Sequence, residues 1–270
     1  MIKKSGMLIT KLMKTKNFRG KLIYLPIISL ILLHMPIAFA GKRVHAQESV
    51  VNISREKDTL VTNLLANNSA DIDVLEAEYE SMHLHDLGLS KTVFNYAMKG
   101  FNYLVQTGNL SKDNIISIVD FSQPSSRKRL FVIDLNNFRV LYNTYVAHGV
   151  NSGKEYANEF SNTPESYKSS LGFYETKNTY LGGNGYSLRL AGLEKGINDN
   201  AERRDIVIHG AGYVDESLIR SQGYIGRSWG CPALPEKLHK LIIDKIKNGS
   251  CLFIFSENNT YLKKSKIINA

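Results

Sequence analysis

The stretch IGRSWGCPALP, residues 225–235, decides which fold the chain adopts, because it fits two catalytic signatures that exclude each other. As G-R-S-W-G it matches the G-x-S-x-G nucleophile elbow of serine hydrolases, with Ser228 as the nucleophile. As S-W-G-C it presents Cys231 behind a glycine, in the manner of a cysteine enzyme. The sequence on either side has to separate the two interpretations.

The serine elbow lacks its structural context in this chain. The signature needs a strand directly before it, a helix directly after it, and an Asp and then a His later in the chain. Here SQGYIG is a poor strand, Pro232 and Pro235 delay the following helix, and the only later histidine is His239, inside that helix. The sequence therefore disfavours Ser228 as a nucleophile.

The cysteine interpretation gains a partner in DIVIHG, residues 205–210, an apolar run that ends on His209 and a glycine. An imidazole at the end of a rigid strand is well placed to take a proton, although a lone histidine is more often a core or surface residue. The second partner favours the catalytic interpretation, because Cys231 follows 22 residues later. We predict that the main-chain N–H groups of Trp229, Gly230 and Cys231 form an oxyanion hole.

The segments VIHGAGYV and GRSWGCPAL resemble the exported bacterial L,D-transpeptidases, and most closely the branch of murein L,D-transpeptidase catalytic domains. The similarity extends over residues 115–256 and includes FSNTPESYKSSLGFYET. It implies that Cys231 is the nucleophile, His209 the base and Ser228 the Ser/Thr position of the family motif. It also implies a β-sandwich catalytic domain.

The family resemblance implies acyl transfer on peptidoglycan stem peptides. The thiol would attack the third, diamino residue of a tetrapeptide stem and form a thioester, which a neighbouring stem would resolve into a 3→3 cross-link. Water as the acceptor would give an L,D-carboxypeptidase. Two alternatives stay open: another exported cysteine peptidase or amidase, and an inactive module that only binds the cell wall.

Substrate binding departs from the commoner branch of the family, because this chain has Pro232 and Ala233 where that branch has Arg or Asn. We therefore expect the substrate carboxylate to bind elsewhere, first at Arg227 and second at Arg204. The remaining substrate-binding candidates are Gly210, Tyr213, Asn162 and Ser170.

The positive charge of the chain is concentrated at its amino end. Residues 1–46 hold nine Lys or Arg and no acid, and the remainder holds 25 basic against 25 acidic residues, so a nucleic-acid partner is not expected. An uncharged run, residues 22–40, follows this basic start and precedes small-residue sites ending at Ala40 and Ala46. This order is typical of a secretory signal, with an uncleaved membrane anchor as the alternative. Either way we expect export to the periplasm or cell envelope.

Patterns along the rest of the chain predict a mainly β fold with flanking helices. Residues 47–86 form a polar spacer, and residues 87–112 hold an N-terminal helix that begins at Ser90 and packs on the domain. Val- and Ile-rich runs between turns predict strands over the catalytic domain, residues 113–262, with one helix after Pro235 and a last strand at 251–256. Residues 263–270 form a basic tail, and the protein is expected to be a monomer.

Other motifs carry less weight. SSRK, residues 125–128, and GGNG, residues 182–185, lack the surrounding elements of penicillin-binding and dinucleotide sites, so we interpret both as turns. His83 and His85 are the one close pair of metal-binding residue types, and they lie in the spacer, so neither a metal nor another cofactor is expected. Cys251 lies in an apolar run, which predicts a buried thiol not bonded to Cys231.

Overall fold

The computed structural model describes residues 73–270. The predicted signal or anchor, residues 1–46, and most of the predicted spacer lie outside the described residues. Within residues 73–270, the helices are all too short or too polar to cross a membrane.

Eight strands form one mixed sheet, and their bounds follow the apolar runs of the sequence. They are β1 (Ile115–Asp120), β2 (Leu130–Asp134), β3 (Arg139–Thr144), β4 (Gly172–Gly182), β5 (Gly185–Gly192), β6 (Val207–Ala211), β7 (Ala233–Pro235) and β8 (Cys251–Phe255). Their order across the sheet is β3-β2-β1-β8-β4-β5-β6-β7. The pairs β1–β8 and β6–β7 are parallel, and all other neighbours are antiparallel.

Besides a short helix at residues 73–81, the described residues contain the α-helices α1 (Lys91–Gln106), α2 (Glu216–Gln222), α3 (Glu236–Ile246) and α4 (Asn259–Lys264), which flank the sheet. The predicted N-cap of α1 is confirmed, because the Ser90 hydroxyl accepts a hydrogen bond from the Val93 N–H at 3.3 Å. Gly100 lets α1 approach the sheet, since a Cβ there would lie 2.0 Å from the Phe173 ring. The predicted N-terminal helix and the helix after Pro235 are therefore both present.

The two edges of the sheet approach each other. Beyond β3 the chain crosses to the opposite edge, where Ala147 bridges Ala233 of β7 and Gly149 bridges Ser228. The strands expected for a sandwich are thus hydrogen-bonded into a single sheet that curves towards a barrel. The fold class, mainly β with flanking helices and an N-terminal helix, is confirmed.

The central strands carry the core. Every residue of β1, β2 and β8 is buried, which explains why their sequences are almost continuously apolar instead of alternating. Phe173 of β4 and Phe253 of β8 stack with ring centroids 4.2 Å apart. This rigid centre fixes β4 to β7 on one side, where the candidate site lies.

The packed domain extends beyond its predicted boundaries at both ends. Residues 73–81 are helical, and Tyr79, Met82 and Leu84, which fall in the predicted spacer, are buried in the core. In the predicted basic tail, Ile267 and Ile268 are buried as well. At the amino end, Leu75, Tyr79 and Met82 are spaced i, i+4 and i+7, so a short helical pattern lies among the polar residues of the predicted spacer.

Candidate active site

The parallel pairing of β6 with β7 brings the two motif halves together. His209 pairs with Ala233, so Cys231 lies just before β7 and beside the start of β6. The Val207 N–H accordingly points at the Cys231 Sγ, 3.5 Å away. Because residues two apart in a strand share a face, His209 and Cys231 project to the same side of the sheet.

Both side chains line one cleft of about 590 Å³. Five further predicted residues line it too: Arg204, Tyr213, Arg227, Ser228 and Trp229. The remaining lining residues were not predicted from sequence: Glu165, Tyr167, Asn184, Asp205 and Ile206. Asn184 comes from the β4–β5 turn, for which the sequence predicts a turn without function.

The environment of the Cys231 thiol favours its protonated form. Burial raises its pKa, and the nearby Asp205 carboxylate raises it further, against the opposing effects of the Val207 N–H and the Arg204 charge. The thiol donates to the Asp205 carbonyl, with 3.5 Å between Sγ and oxygen. Among the described residues, no hydrogen bond joins Cys231 to His209.

His209 is oriented by its own strand. Its Nδ1 lies 2.9 Å from the Gly210 carbonyl oxygen, which assigns the proton to Nδ1 and leaves the Nε2 lone pair free. Burial lowers the pKa of His209, and the nearby His239 lowers it further, while the hydrogen bond to the Gly210 carbonyl raises it. The imidazole is thus a neutral base at neutral pH.

Gly210, predicted to bind substrate, lies beside the cleft and not in its lining. Its carbonyl oxygen is 2.9 Å from His209 Nδ1. A Cβ at this position would lie 2.6 Å from the His239 ring, so α3 packs directly on the glycine.

Ser228 braces the loop that carries the thiol. Its hydroxyl donates to the Cys231 carbonyl at 2.6 Å and accepts from the Gly230 N–H at 3.0 Å. Its main-chain N–H donates to the His148 carbonyl at 2.9 Å. Both hydrogen bonds of the Ser228 hydroxyl are made inside its own loop, so Ser228 holds Cys231 in place. Among the described residues, the hydroxyl contacts neither a histidine nor a carboxylate that could act as its base.

The three N–H groups of the predicted oxyanion hole differ in their hydrogen bonds. The Gly230 N–H donates to the Ser228 hydroxyl at 3.0 Å. Within the described part of the chain, the N–H groups of Trp229 and Cys231 donate to no protein acceptor. Gly230 is needed for another reason: its φ is +124°, and a Cβ would lie 3.0 Å from the Lys168 carbonyl.

Arg204 holds the wall of the cleft. Its guanidinium donates to the Ser161 carbonyl at 2.7 Å, the Lys168 carbonyl at 2.6 Å and the Ser166 hydroxyl at 3.2 Å, and also to the Ser170 hydroxyl. Four acceptors therefore occupy the guanidinium that was expected to bind a carboxylate, and these bonds tie the wall of the cleft together.

Two other predicted substrate-binding residues lie outside the cleft. Ser170 is 2% exposed and bonds the Ser161 carbonyl as well as Arg204. Asn162 donates to the Asp199 carboxylate at 2.7 Å and accepts from the Asn200 N–H. Both residues tie loops together, and neither lines the cleft.

Arg227 and Tyr213 keep free polar groups in the cleft. Arg227 donates once, from Nη1 to the Gly153 carbonyl at 3.1 Å, and its other donors have no protein acceptor among the described residues. Burial raises the pKa of Tyr213 to about 12, with a further contribution from Cys231. Its hydroxyl is therefore a neutral donor.

Metal-binding residue types do not cluster in the described part of the chain: residues 73–270 contain no group of three or more His, Cys, Asp or Glu that could hold an ion. His83 lies on the surface, with its Nδ1 3.6 Å from the Asp86 carboxylate. His148 is buried and bonded to Arg129.

Comparison with known proteins agrees with this geometry. The family described as L,D-transpeptidase catalytic domain matches residues 85–255. A search of curated proteins gave no match.

Similar solved structures include the L,D-transpeptidase from Mycobacterium smegmatis, 13% identical over 53% of this chain and 58% of that one, with a TM-score of 0.32. The helical cell shape determining protein Pgp2 from Campylobacter jejuni is 15% identical over 53% of this chain and 47% of its own, with a TM-score of 0.34. This chain spans about half the length of these structures. The family match, by contrast, covers more than half of this chain, so the protein belongs to the L,D-transpeptidase catalytic domain family.

Proposed function

We propose that this protein is a peptidoglycan-modifying cysteine acyltransferase, an L,D-transpeptidase that forms 3→3 cross-links through a thioester on Cys231. One observation carries the proposal. His209 in β6 and Cys231 in the loop just before the parallel strand β7 line the same cleft, and the Nδ1–H of His209 is held by a main-chain carbonyl. This leaves one basic nitrogen for the thiol.

The first step is attack of the thiol on the donor stem. Because burial raises the thiol pKa and lowers the imidazole pKa, the resting pair is neutral and the thiolate forms as the reaction begins. His209 Nε2 takes the thiol proton while Sγ forms a bond to the carbonyl carbon of the third stem residue. Hydrogen bonds between catalytic groups often form only in the substrate complex, which agrees with the lack of one between Cys231 and His209.

The tetrahedral intermediate places a negative charge on the former carbonyl oxygen. The N–H groups of Trp229 and Cys231 have no other protein acceptor in the described chain and adjoin the thiol. They can stabilise this charge, as two preorganised donors do in other acyl transfer sites. Ser228 contributes indirectly, because it fixes the loop that aims them.

Collapse of the intermediate breaks the peptide bond to the terminal D-alanine. The imidazolium returns the proton to the leaving amine, and the acyl group stays on Cys231 as a thioester. The amine of a second stem then attacks the thioester and loses its proton to His209. Sγ leaves as a thiolate, is reprotonated by the imidazolium, and a 3→3 amide bond remains.

We assign recognition of the donor carboxylate to Arg227. It lines the cleft with most of its donors free, whereas the donors of Arg204 are occupied. The Tyr213 hydroxyl is a second polar contact for the donor peptide. The proposed partners are thus peptidoglycan stem peptides, which the protein would meet after export to the periplasm or cell envelope as a monomer.

The test of the proposal uses a purified protein that contains residues 73–270, together with a tetrapeptide donor. Mass spectrometry should detect an acyl adduct on Cys231 with loss of D-alanine, and addition of an acceptor stem should give the 3→3 dimer. If the adduct forms and only the tripeptide is released, the protein is an L,D-carboxypeptidase. If Cys231 reacts with iodoacetamide but never with the donor, the transpeptidase assignment is wrong.

A further inference from the structure

Behind the cleft lies a buried pair of basic residues that the proposed reaction does not use. Arg129 and His148 are both fully buried. Arg129 donates to the Val146 carbonyl at 2.9 Å, the Gln123 carbonyl at 2.8 Å and His148 Nδ1 at 2.7 Å. A buried guanidinium without a hydrogen-bonded carboxylate is costly, so its position requires an explanation.

The contacts of His148 fix its protonation state. Since Arg129 can only donate, the facing Nδ1 must carry the lone pair, and the proton must be on Nε2. Burial and the charge of Arg129 lower the pKa of His148 to about 3. His148 is therefore a neutral imidazole whose Nε2–H points at the Gly153 carbonyl, 3.3 Å away.

The Gly153 carbonyl connects this pair to the cleft. It accepts the Nε2–H of His148 and also an N–H of Arg227. Only glycine fits at this position, because its φ is +148° and a Cβ there would lie 2.0 Å from the Tyr156 oxygen. Arg227 in turn lies over the Tyr224 ring, 5.9 Å from its centroid.

The main chain of His148 makes a second connection to the same loop. Its carbonyl accepts the Ser228 N–H, and the following Gly149 bridges Ser228. One buried residue thus contacts the supports of two adjacent cleft residues, Arg227 through Gly153 and Ser228 directly.

We propose that His148 is a positioning residue: held as the Nε2–H tautomer by Arg129, it fixes the Gly153 carbonyl and thereby aims the Arg227 guanidinium at the donor carboxylate. The inference rests on the proposed function for its substrate, but the positioning itself is a property of the folded protein. Neither His148 nor Arg129 reaches the cleft, so neither contacts the substrate.

Two variants of His148 separate its two hydrogen bonds. Asparagine in His148→Asn can accept from Arg129 in place of Nδ1 but is too short to donate to Gly153. Glutamine in His148→Gln can donate from its amide in place of Nε2. Arg189→Gln is the matched control for Arg227→Gln, because Arg189 lies on β5 against Tyr180, away from the cleft.

The readout is the ratio of acylation rates, kcat/KM, for a tetrapeptide donor with a free carboxylate and for the same donor ending in an amide. A charged hydrogen bond to the carboxylate makes this ratio about 10–100 in the parent. We expect the ratio to fall about tenfold in Arg227→Gln and His148→Asn, and to stay within about twofold in His148→Gln and Arg189→Gln. The double variant His148→Asn, Arg227→Gln should have the same ratio as Arg227→Gln alone.

A general loss of folding would lower both rates together and leave the ratio unchanged, so a fall in the ratio cannot come from misfolding. An unchanged ratio in His148→Asn, or a double variant in which the two losses multiply, overturns the proposal. If neither donor acylates the parent, the proposed function fails, and ¹⁵N relaxation of the Arg227 side chain decides the positioning instead. Its Nε–H must then be more mobile in His148→Asn than in His148→Gln, and equal mobility overturns the inference.

Discussion

The Ser228 hydroxyl donates a hydrogen bond of 2.6 Å to the main-chain carbonyl of Cys231. The residue that a serine-hydrolase signature would make the nucleophile is thus a support of the cysteine three positions later. Its second bond, from the Gly230 N–H, closes the turn between them. The two interpretations of this motif therefore make opposite predictions for mutants.

Cys231→Ala should abolish formation of a covalent adduct, because no other group in the cleft can carry a thioester. Ser228→Ala should still form it, at a rate lower by about 10- to 100-fold, since two partners of the hydroxyl lose their hydrogen bonds at about 1–3 kcal/mol. Ser228→Thr, which keeps the hydroxyl, is the control. Intact mass after incubation with a carbapenem measures the adduct, and an adduct that survives Cys231→Ala but disappears in Ser228→Ala would restore the serine elbow.

The acylation rate should stay constant as the pH falls through 6.5 and decline only below it. The reason is that burial lowers the pKa of His209, so the neutral base persists to a lower pH than a free imidazole, and the rate is lost when it becomes protonated. His209→Ala should be slower by about 10²–10⁴ and lack this acidic limb. Stopped-flow or quenched mass measurements give the profile; a midpoint above pH 7 contradicts the assignment.

Only Cys231 should react with an alkylating reagent in the native protein. Cys251 is fully buried in β8 and burial raises its pKa, and both cysteines are free. Labelling with iodoacetamide without reductant, followed by peptide mapping, checks this. Cys231→Ala should take label only after denaturation, and a parent mass two units low with no label would mean a disulfide.

Gly230→Ala should destabilise the domain by about 1–3 kcal/mol and slow acylation, because the left-handed φ of +124° strains any other residue and the new Cβ lies against the Lys168 carbonyl. Gly183→Ala is the matched control: its Cβ would meet nothing within 4 Å. Thermal unfolding of the two variants measures the difference, and equal midpoints would show that the turn is relaxed.

Export should leave a mature N-terminus at Gly41 or Gln47, since the nine leader charges precede an uncharged run with two small-residue sites. N-terminal sequencing of protein recovered from the cell envelope provides the test. An intact Met1 there would favour the membrane anchor instead.

The sequence by itself determined the elements with strong local signals. Of the eight strands, Val- and Ile-rich runs predicted the six that precede the motif loop and the last one, which follows it. Ser90 and the apolar face after it gave α1. The strand-ending His209 and the Gly-Cys-Pro motif gave the two central candidates, because each is a short pattern whose chemistry is visible without its neighbours.

Only the tertiary structure decided what those residues contact. β7 has three residues and pairs with β6, while Asn184 of the β4–β5 turn lines the cleft. Arg204 and Arg227 look alike in sequence, yet a loop about 40 residues away occupies the donors of the first and leaves most donors of the second free. Hydrogen-bond partners come from distant segments, so the availability of a donor is a property of the fold and not of the local sequence.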